Sequence, residues 1–123
     1  MVLIVDDNEQ NLTLLSILLK KIECRFDISK DGLDALAKVE SGQYSLVMTD
    51  IRMPLMDGCV LCENIKKKHP KLPVIAITAK ALPGDKEEIL SHGFDGYIEK
   101  PIALEQFWEQ VLKFVALEES IPG

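Results

Sequence analysis

At 123 residues, 47% of them hydrophobic, the chain is long enough for one domain with a real core and too short for a second. A net charge of −6, with no basic stripe interleaved with aromatics, argues against a nucleic-acid surface. The first apolar run, Val2 to Val5, ends in two aspartates, so it is neither a signal peptide nor a membrane span; a cytoplasmic location with no membrane contact is expected.

Short apolar runs begin near Val2, Arg25, Ser45, Val74 and Gly96, and each gap between them holds one helix and two turns. After the first run, Leu15, Leu18, Leu19 and Ile22 recur at i, i+3, i+4, i+7, the stripe of an amphipathic helix. A second helix, about Leu33 to Glu40, stops at Gly42, and a third, about Cys59 to Lys68, stops before Pro70. Pro83-Gly84 marks a turn, after which Asp85 with Glu88 makes a capping-box-like start for a short fourth helix closed by Gly93. Leu104, Phe107, Trp108, Val111 and Val115 put the same one-sided stripe on the last helix. Strand and helix alternating in this way predict an α/β fold, a doubly wound parallel sheet with helices on both faces. The domain is expected to span residues 1–117, with a frayed tail at 118–123.

Residues able to handle a phosphoryl group fall at the ends of these runs. Asp6 and Asp7 follow the first, Asp50 closes the third after Thr49, Thr78 follows Ile77, and Lys100 follows Glu99. Ligands of an open parallel sheet bind outside the carboxyl ends of its strands, so residues far apart in sequence can meet in one crevice. Three carboxylates there repel one another by roughly 3 kcal/mol per pair at about 5 Å and an effective dielectric near 20. A cation must relieve them, or one stays protonated. All-oxygen ligands in a solvated crevice suit Mg²⁺, which keeps several waters. An Asp-Asp pair before a helix is by itself more often a capping sequence, and it is the partners at the other strand ends that change the weighting. Asp50 is the candidate nucleophile, since a carboxylate accepts a phosphoryl group as an acyl phosphate once a metal offsets the charge. Lys100 would meet one phosphoryl oxygen, and the Thr78 hydroxyl would donate to another.

The chain resembles a receiver domain of two-component signalling, the module of response regulators and hybrid sensor histidine kinases. The resemblance covers nearly the whole chain and rests on Val5-Asp6-Asp7-Asn8, Asp50-Ile51-Arg52-Met53-Pro54 with Asp57-Gly58, Thr78-Ala79 and Lys100-Pro101. It implies a flavodoxin-like strand order, 2-1-3-4-5, with five helices. It implies that Asp50 takes a phosphoryl group from a phosphohistidine, and that Asp7, Asp50 and the backbone carbonyl of Arg52 bind Mg²⁺, with Asp6 helping through water. It implies a cis peptide before Pro101, and Tyr97 as the aromatic that turns inward when Thr78 moves towards the phosphoryl group. Such a domain catalyses its own phosphorylation and dephosphorylation and turns over no external substrate. Its partner is a sensor histidine kinase or a histidine phosphotransfer protein, with a phosphorylation-dependent dimer as a further option. Asn11 after Asp6-Asp7-Asn8, the Thr78-Ala79-Lys80-Ala81 loop and Lys100-Pro101-Ile102 are similar to receivers attached to hybrid kinases, and the chain is read as a fragment of one. Arg52 and Lys80 are expected to lie across the route of hydrolytic water and slow self-dephosphorylation.

The enzyme alternative is a phosphatase of the haloacid dehalogenase type, which carries a second acid two residues after its nucleophile; here that position is Arg52. A nucleotide-binding fold lacks its glycine-rich loop after the first strand. A phosphorylation-independent interaction module would not need the complete acidic, Thr and Lys set. Cys59-Val60-Leu61-Cys62 has the spacing of a redox pair, but it follows the Asp57-Gly58 turn and has no second pair for zinc. Three cysteines, an odd number in a domain that needs no staples, fit a reducing compartment. Lys66-Lys67-Lys68 reads as a solvated helix end, and His69 and His92 as surface residues near helix ends.

Overall fold

In the computed structural model, which describes residues 1–79 and 84–119 with the backbone alone from 116, strand and helix alternate as the periodicity predicts. The strands are β1 (Val2–Val5), β2 (Phe26–Ser29), β3 (Leu46–Asp50), β4 (Val74–Thr78) and β5 (Gly96–Glu99). They form one parallel sheet in the order β2-β1-β3-β4-β5, the flavodoxin-like order. Between and after them run α1 (Glu9–Lys21), α2 (Gly32–Val39), α3 (Gly58–Lys68), α4 (Asp85–Ser91) and α5 (Leu104–Glu119). The backbone of α5 stays helical two residues past 117, where the domain was expected to end, and 120–123 of the expected tail lie outside the described residues.

The central strands are apolar on both faces because helices cover both. Val2 and Ile4 point into a core shared with Leu15 and Leu19 of α1 and with Phe107 and Val111 of α5. Leu3 and Val5 point the other way, onto Ala35 of α2 and Leu61 and Ile65 of α3. The period-2 alternation of a strand thus builds two cores from one tetrapeptide.

Local caps set where the helices begin. Asn8, Asp31 and Asp57 sit at N-cap positions, and their side chains accept from the N–H groups of Asn11, Asp34 and Val60. α3 therefore starts at Gly58, one residue before the expected Cys59. The capping box expected at Asp85 and Glu88 does not form. The chain enters α4 through Gly84 at φ +99, with no side-chain cap, and Asp85 already lies in the first turn. A capping side chain needs an extended N-cap backbone, which Gly84 does not adopt.

His69 and His92 are half-buried rather than surface residues. His92 Nδ1 lies 2.9 Å from Glu63 Oε2, joining the end of α4 to α3, and His69 Nε2 lies 4.0 Å from Glu40 Oε1. A second tie holds the lower end of the sheet. One Asp95 oxygen accepts from Lys66 Nζ at 2.7 Å and from the Val74 N–H at 2.8 Å, so a single carboxylate joins α3, β4 and the approach to β5. Asp95→Ala is expected to lower stability by about 1–3 kcal/mol, since it strands a backbone donor at the strand start and a half-buried ammonium. A urea melt checks this; an unchanged midpoint would mean that water replaces the carboxylate at no cost.

Candidate functional site

The sheet register explains how the chemistry-bearing residues meet. Val5 pairs with Thr49, so Asp6 and Asp50 each stand one residue further on, at the ends of neighbouring strands. Asp50 pairs with Ile77, which places Thr78 one step beyond it, and Thr78 pairs with Glu99, which places Lys100 one step beyond that. Each strand outwards from β1 carries its functional residue to the same rim.

Asp6, Asp7 and Asp50 each offer a carboxylate oxygen, and these oxygens lie within 4.8 Å of one another. Their surroundings differ. Asp6 is buried, Asp7 is exposed and Asp50 is intermediate. One Asp6 oxygen accepts the Asn8 N–H at 2.9 Å, while Oδ2 is buried without a hydrogen-bond partner. Burial raises the Asp6 carboxyl above its ordinary 3.8; the Asn8 N–H opposes this, the Asp50 charge adds to it, and Lys100 and the Asn11 side chain oppose it. An orphaned carboxylate oxygen facing two more carboxylates is what a hard divalent cation satisfies, so this donor set fits Mg²⁺. Asp6 and Asp7 do not cap α1, because Asn8 does.

Lys100 Nζ reaches across to Asp50 Oδ2 at 3.5 Å, and both side chains are largely shielded from solvent. The Lys100 N–H donates to the Thr78 carbonyl at 2.7 Å, fixing the lysine to the end of β4, and the peptide between Lys100 and Pro101 is cis, as the resemblance implies. Beneath Asp50, the buried Thr49 hydroxyl donates to the Asp50 carbonyl at 2.8 Å. Thr78 is half-buried and lines a pocket of about 330 Å³ with Arg52, Cys59, Ala79, Glu88 and His92. Arg52 is exposed at the mouth, two residues past Asp50; Lys80, paired with it in the expected shield, lies outside the described residues.

Tyr97 stands apart from the carboxylates. It pairs with Ala76 on β4, its ring packs at the edge of the second core, its hydroxyl lies 3.4 Å from Glu99 Oε1, and Lys86 Nζ sits 5.1 Å above the ring. Cys59 and Cys62 have thiols pushed up to about 11 and about 12, mainly by burial, which keeps them protonated and gives no support to a redox pair.

Two residues that the sequence offered only as parts of the resemblance take positions at the site that the motifs do not specify. The Asn11 side chain opposes the rise of the Asp6 carboxyl, and its N–H donates to the Asn8 side chain at 3.1 Å, one helical turn back. Gly58 lets the chain return onto the end of β3. Its N–H donates to the Ile51 carbonyl at 2.8 Å, and a Cβ there would fall 2.2 Å from the Asp50 carbonyl oxygen. The Asp57-Gly58 dipeptide marks the turn, but the close approach is tertiary.

Among the described residues, no helix is long and apolar enough to cross a membrane. A family model for the response regulator receiver domain matches residues 2–112. The sensor histidine kinase GacS of Pseudomonas protegens is 36% identical over 121 residues, which are 94% of this chain and 13% of that protein. The curated relatives it matches are much longer, and the chain spans 3–13% of their length. The receiver domain of sensor histidine kinase PA1611 from Pseudomonas aeruginosa PAO1, solved with a magnesium ion coordinated in its active site cleft, superposes with a TM-score of 0.85 at 29% identity, covering 94% of this chain and 96% of that one. The receiver domain of Ssk1 from Saccharomyces cerevisiae, solved with the histidine phosphotransfer protein Ypd1, shares the fold with a TM-score of 0.87 at 24% identity, covering 95% and 89%. With the family model spanning nearly all of its length and the fold and strand order in agreement, this chain belongs to the response regulator receiver domain family, the signalling switch of two-component systems and phosphorelays.

Proposed function

We propose that Asp50 is the phosphoacceptor, and that it takes its phosphoryl group from a phosphohistidine. The observation that carries this is the meeting of three carboxylate oxygens within 4.8 Å, with the Lys100 ammonium 3.5 Å from Asp50. An Asp50 oxygen attacks phosphorus, the P–N bond breaks, and the histidine nitrogen leaves with the bonding pair. Lys100 is placed to follow the charge onto the phosphoryl oxygens, and the Thr78 hydroxyl to donate to one of them. Asp6, Asp7, Asp50 and the Arg52 carbonyl would hold Mg²⁺, which offsets the charge that otherwise repels the incoming phosphate. The orphaned Asp6 oxygen supports this, as does the magnesium in the cleft of the PA1611 receiver. The donor is a sensor histidine kinase or a histidine phosphotransfer protein, the latter supported by the complex of Ssk1 with Ypd1. The chain acts on itself only, as one cytoplasmic segment of a hybrid kinase.

Output follows from the same residues. Phosphorylation adds roughly two negative charges, Thr78 moves towards them, and Tyr97 turns inward beside the pocket that Thr78 lines. The face of α4, β5 and α5 is then remodelled for a partner or a second copy.

The experiment is incubation with acetyl phosphate and Mg²⁺ followed by intact-mass measurement. Unmodified protein is expected to gain one phosphoryl group and Asp50→Asn none, with no steady-state turnover of a generic phosphomonoester. Persistent labelling of the variant, or labelling on His69 or His92, would remove Asp50 from this role.

A further inference from the structure

We propose that Thr49 is a positioning residue for phosphorylation, its hydroxyl fixing the main chain that carries the Asp50 carboxylate. The inference rests on the reading of Asp50 as phosphoacceptor. Thr49 is wholly buried, and its hydroxyl donates to the Asp50 carbonyl at 2.8 Å.

The sheet explains why a side chain is needed there. The last carbonyl of β2, on Ser29, accepts the Asp6 N–H at 3.0 Å, and that of β4, on Thr78, accepts the Lys100 N–H at 2.7 Å. Each is taken by main chain running on from the neighbouring strand. β3 instead outruns its neighbour β1. Val5 closes β1 opposite Thr49, while Asp50 is paired on the other side only, with Ile77. The Val47 N–H donates to the Pro73 carbonyl on the β4 side, so alternation along the strand turns the main-chain groups of Thr49 towards β4 and those of Asp50 towards β1, where the ladder has stopped. The Thr49 hydroxyl supplies the missing donor.

Packing alone does not call for threonine. Thr49 lies on the same face as Val47, against the core that α2 and α3 cover. Valine has nearly the same shape and carries no polar atom to bury. From that face α3 also closes on the carbonyl, since a Cβ on Gly58 would fall 2.2 Å from the Asp50 carbonyl oxygen. The oxygen is thus held between its hydroxyl donor and the start of α3. The peptide it belongs to leads through Ile51 to the Arg52 carbonyl, and the residue it belongs to carries the carboxylate whose Oδ2 lies 3.5 Å from Lys100 Nζ. Transfer depends on where the attacking oxygen stands. Without the hydroxyl the buried carbonyl turns to seek another donor, and the carboxylate moves with it.

Thr49→Val removes the hydroxyl at nearly constant volume, and Thr49→Ser keeps it and removes a methyl. One loses a buried hydrogen bond and the other a buried methyl, so both are expected to melt at a somewhat lower urea concentration than the unmodified protein. Labelling by acetyl phosphate at saturating Mg²⁺ should separate them. The maximal rate is expected to fall about tenfold in Thr49→Val, with the half-saturating donor concentration unchanged, and to stay within about twofold in Thr49→Ser. The Ile51 amide shares a peptide with the Asp50 carbonyl, so its nitrogen chemical shift, read by NMR with no donor present, should move in Thr49→Val and hold in Thr49→Ser. Labelling of Thr49→Val at the unmodified rate would overturn the proposal. So would equal slowing in Thr49→Ser, which would trace the effect to packing, and so would an Ile51 shift that stays in place in Thr49→Val. If acetyl phosphate fails to label the unmodified chain at Asp50, it is the phosphoacceptor reading that falls, and the role of Thr49 with it.

Discussion

Gly58→Ala is expected to cost about 3 kcal/mol of stability and to slow phosphorylation by acetyl phosphate to near background. The added Cβ would lie 2.2 Å from the Asp50 carbonyl oxygen, 2.9 Å from Ile51 Cα and 3.0 Å from the Asp50 carbonyl carbon. All three are backbone atoms, so no side chain can rotate away. The start of α3 must lift off the end of β3, breaking the Gly58–Ile51 hydrogen bond and displacing Asp50, the proposed acceptor. Overpacking against atoms that can yield costs about 1–3 kcal/mol, and an unyielding backbone sets the upper end. Gly42→Ala is the control. It has φ +74 but nothing within 4 Å of a built Cβ, so it should show only the left-handed backbone penalty of about 1–2 kcal/mol and leave phosphorylation intact. Urea melts and intact-mass time courses on the two variants decide it; equal labelling rates would mean that the β3–α3 junction does not position the acceptor.

Asp6→Asn is expected to stabilise the metal-free protein at pH 7 by about 1–3 kcal/mol, because it removes a charge whose second oxygen is buried without a partner. It should also weaken Mg²⁺ binding by tenfold or more, since the proposed site loses one of its three carboxylates, whether that group meets the ion directly or through water. The pH dependence follows from the raised carboxyl. Above 3.8 the unfolded Asp6 has lost its proton while the folded one still holds it, so the folded state binds more protons and stability falls as pH rises through the folded value. The deficit is complete above the folded pKa and absent below 3.8, so the advantage of Asp6→Asn should be largest near neutrality and vanish in acid. Chelator-treated protein followed by urea melts across this range, with Mg²⁺ titration at pH 7, tests both halves. A variant less stable than its parent without metal would show that the Asn8 and Asn11 contacts outweigh burial.

The alternation of strand and helix was legible in the sequence because hydrophobic period is a local property. Val2–Val5 reads as a strand buried on both faces and Leu15 to Ile22 as a helix stripe wherever they end up. The same locality marked Asp6, Asp7, Asp50, Thr78 and Lys100, since the residue after an apolar run in a parallel sheet is at the ligand-binding end by construction. Strand order was not legible from periodicity, because an apolar run does not say which strands it will lie beside; the order came from resemblance and then from the sheet itself. Register decided the site. The offset that carries Lys100 to 3.5 Å from Asp50 is a relation between strands fifty residues apart. Asp6 and Asp7 are chemically identical neighbours, yet one is buried with an orphaned oxygen and the other is exposed, because the chain bends at Asp7 on its way from β1 to α1 and only Asp6 stays within the protein. The close approach at Gly58 belongs to tertiary structure too, since an interatomic distance is set by what the loop must return to.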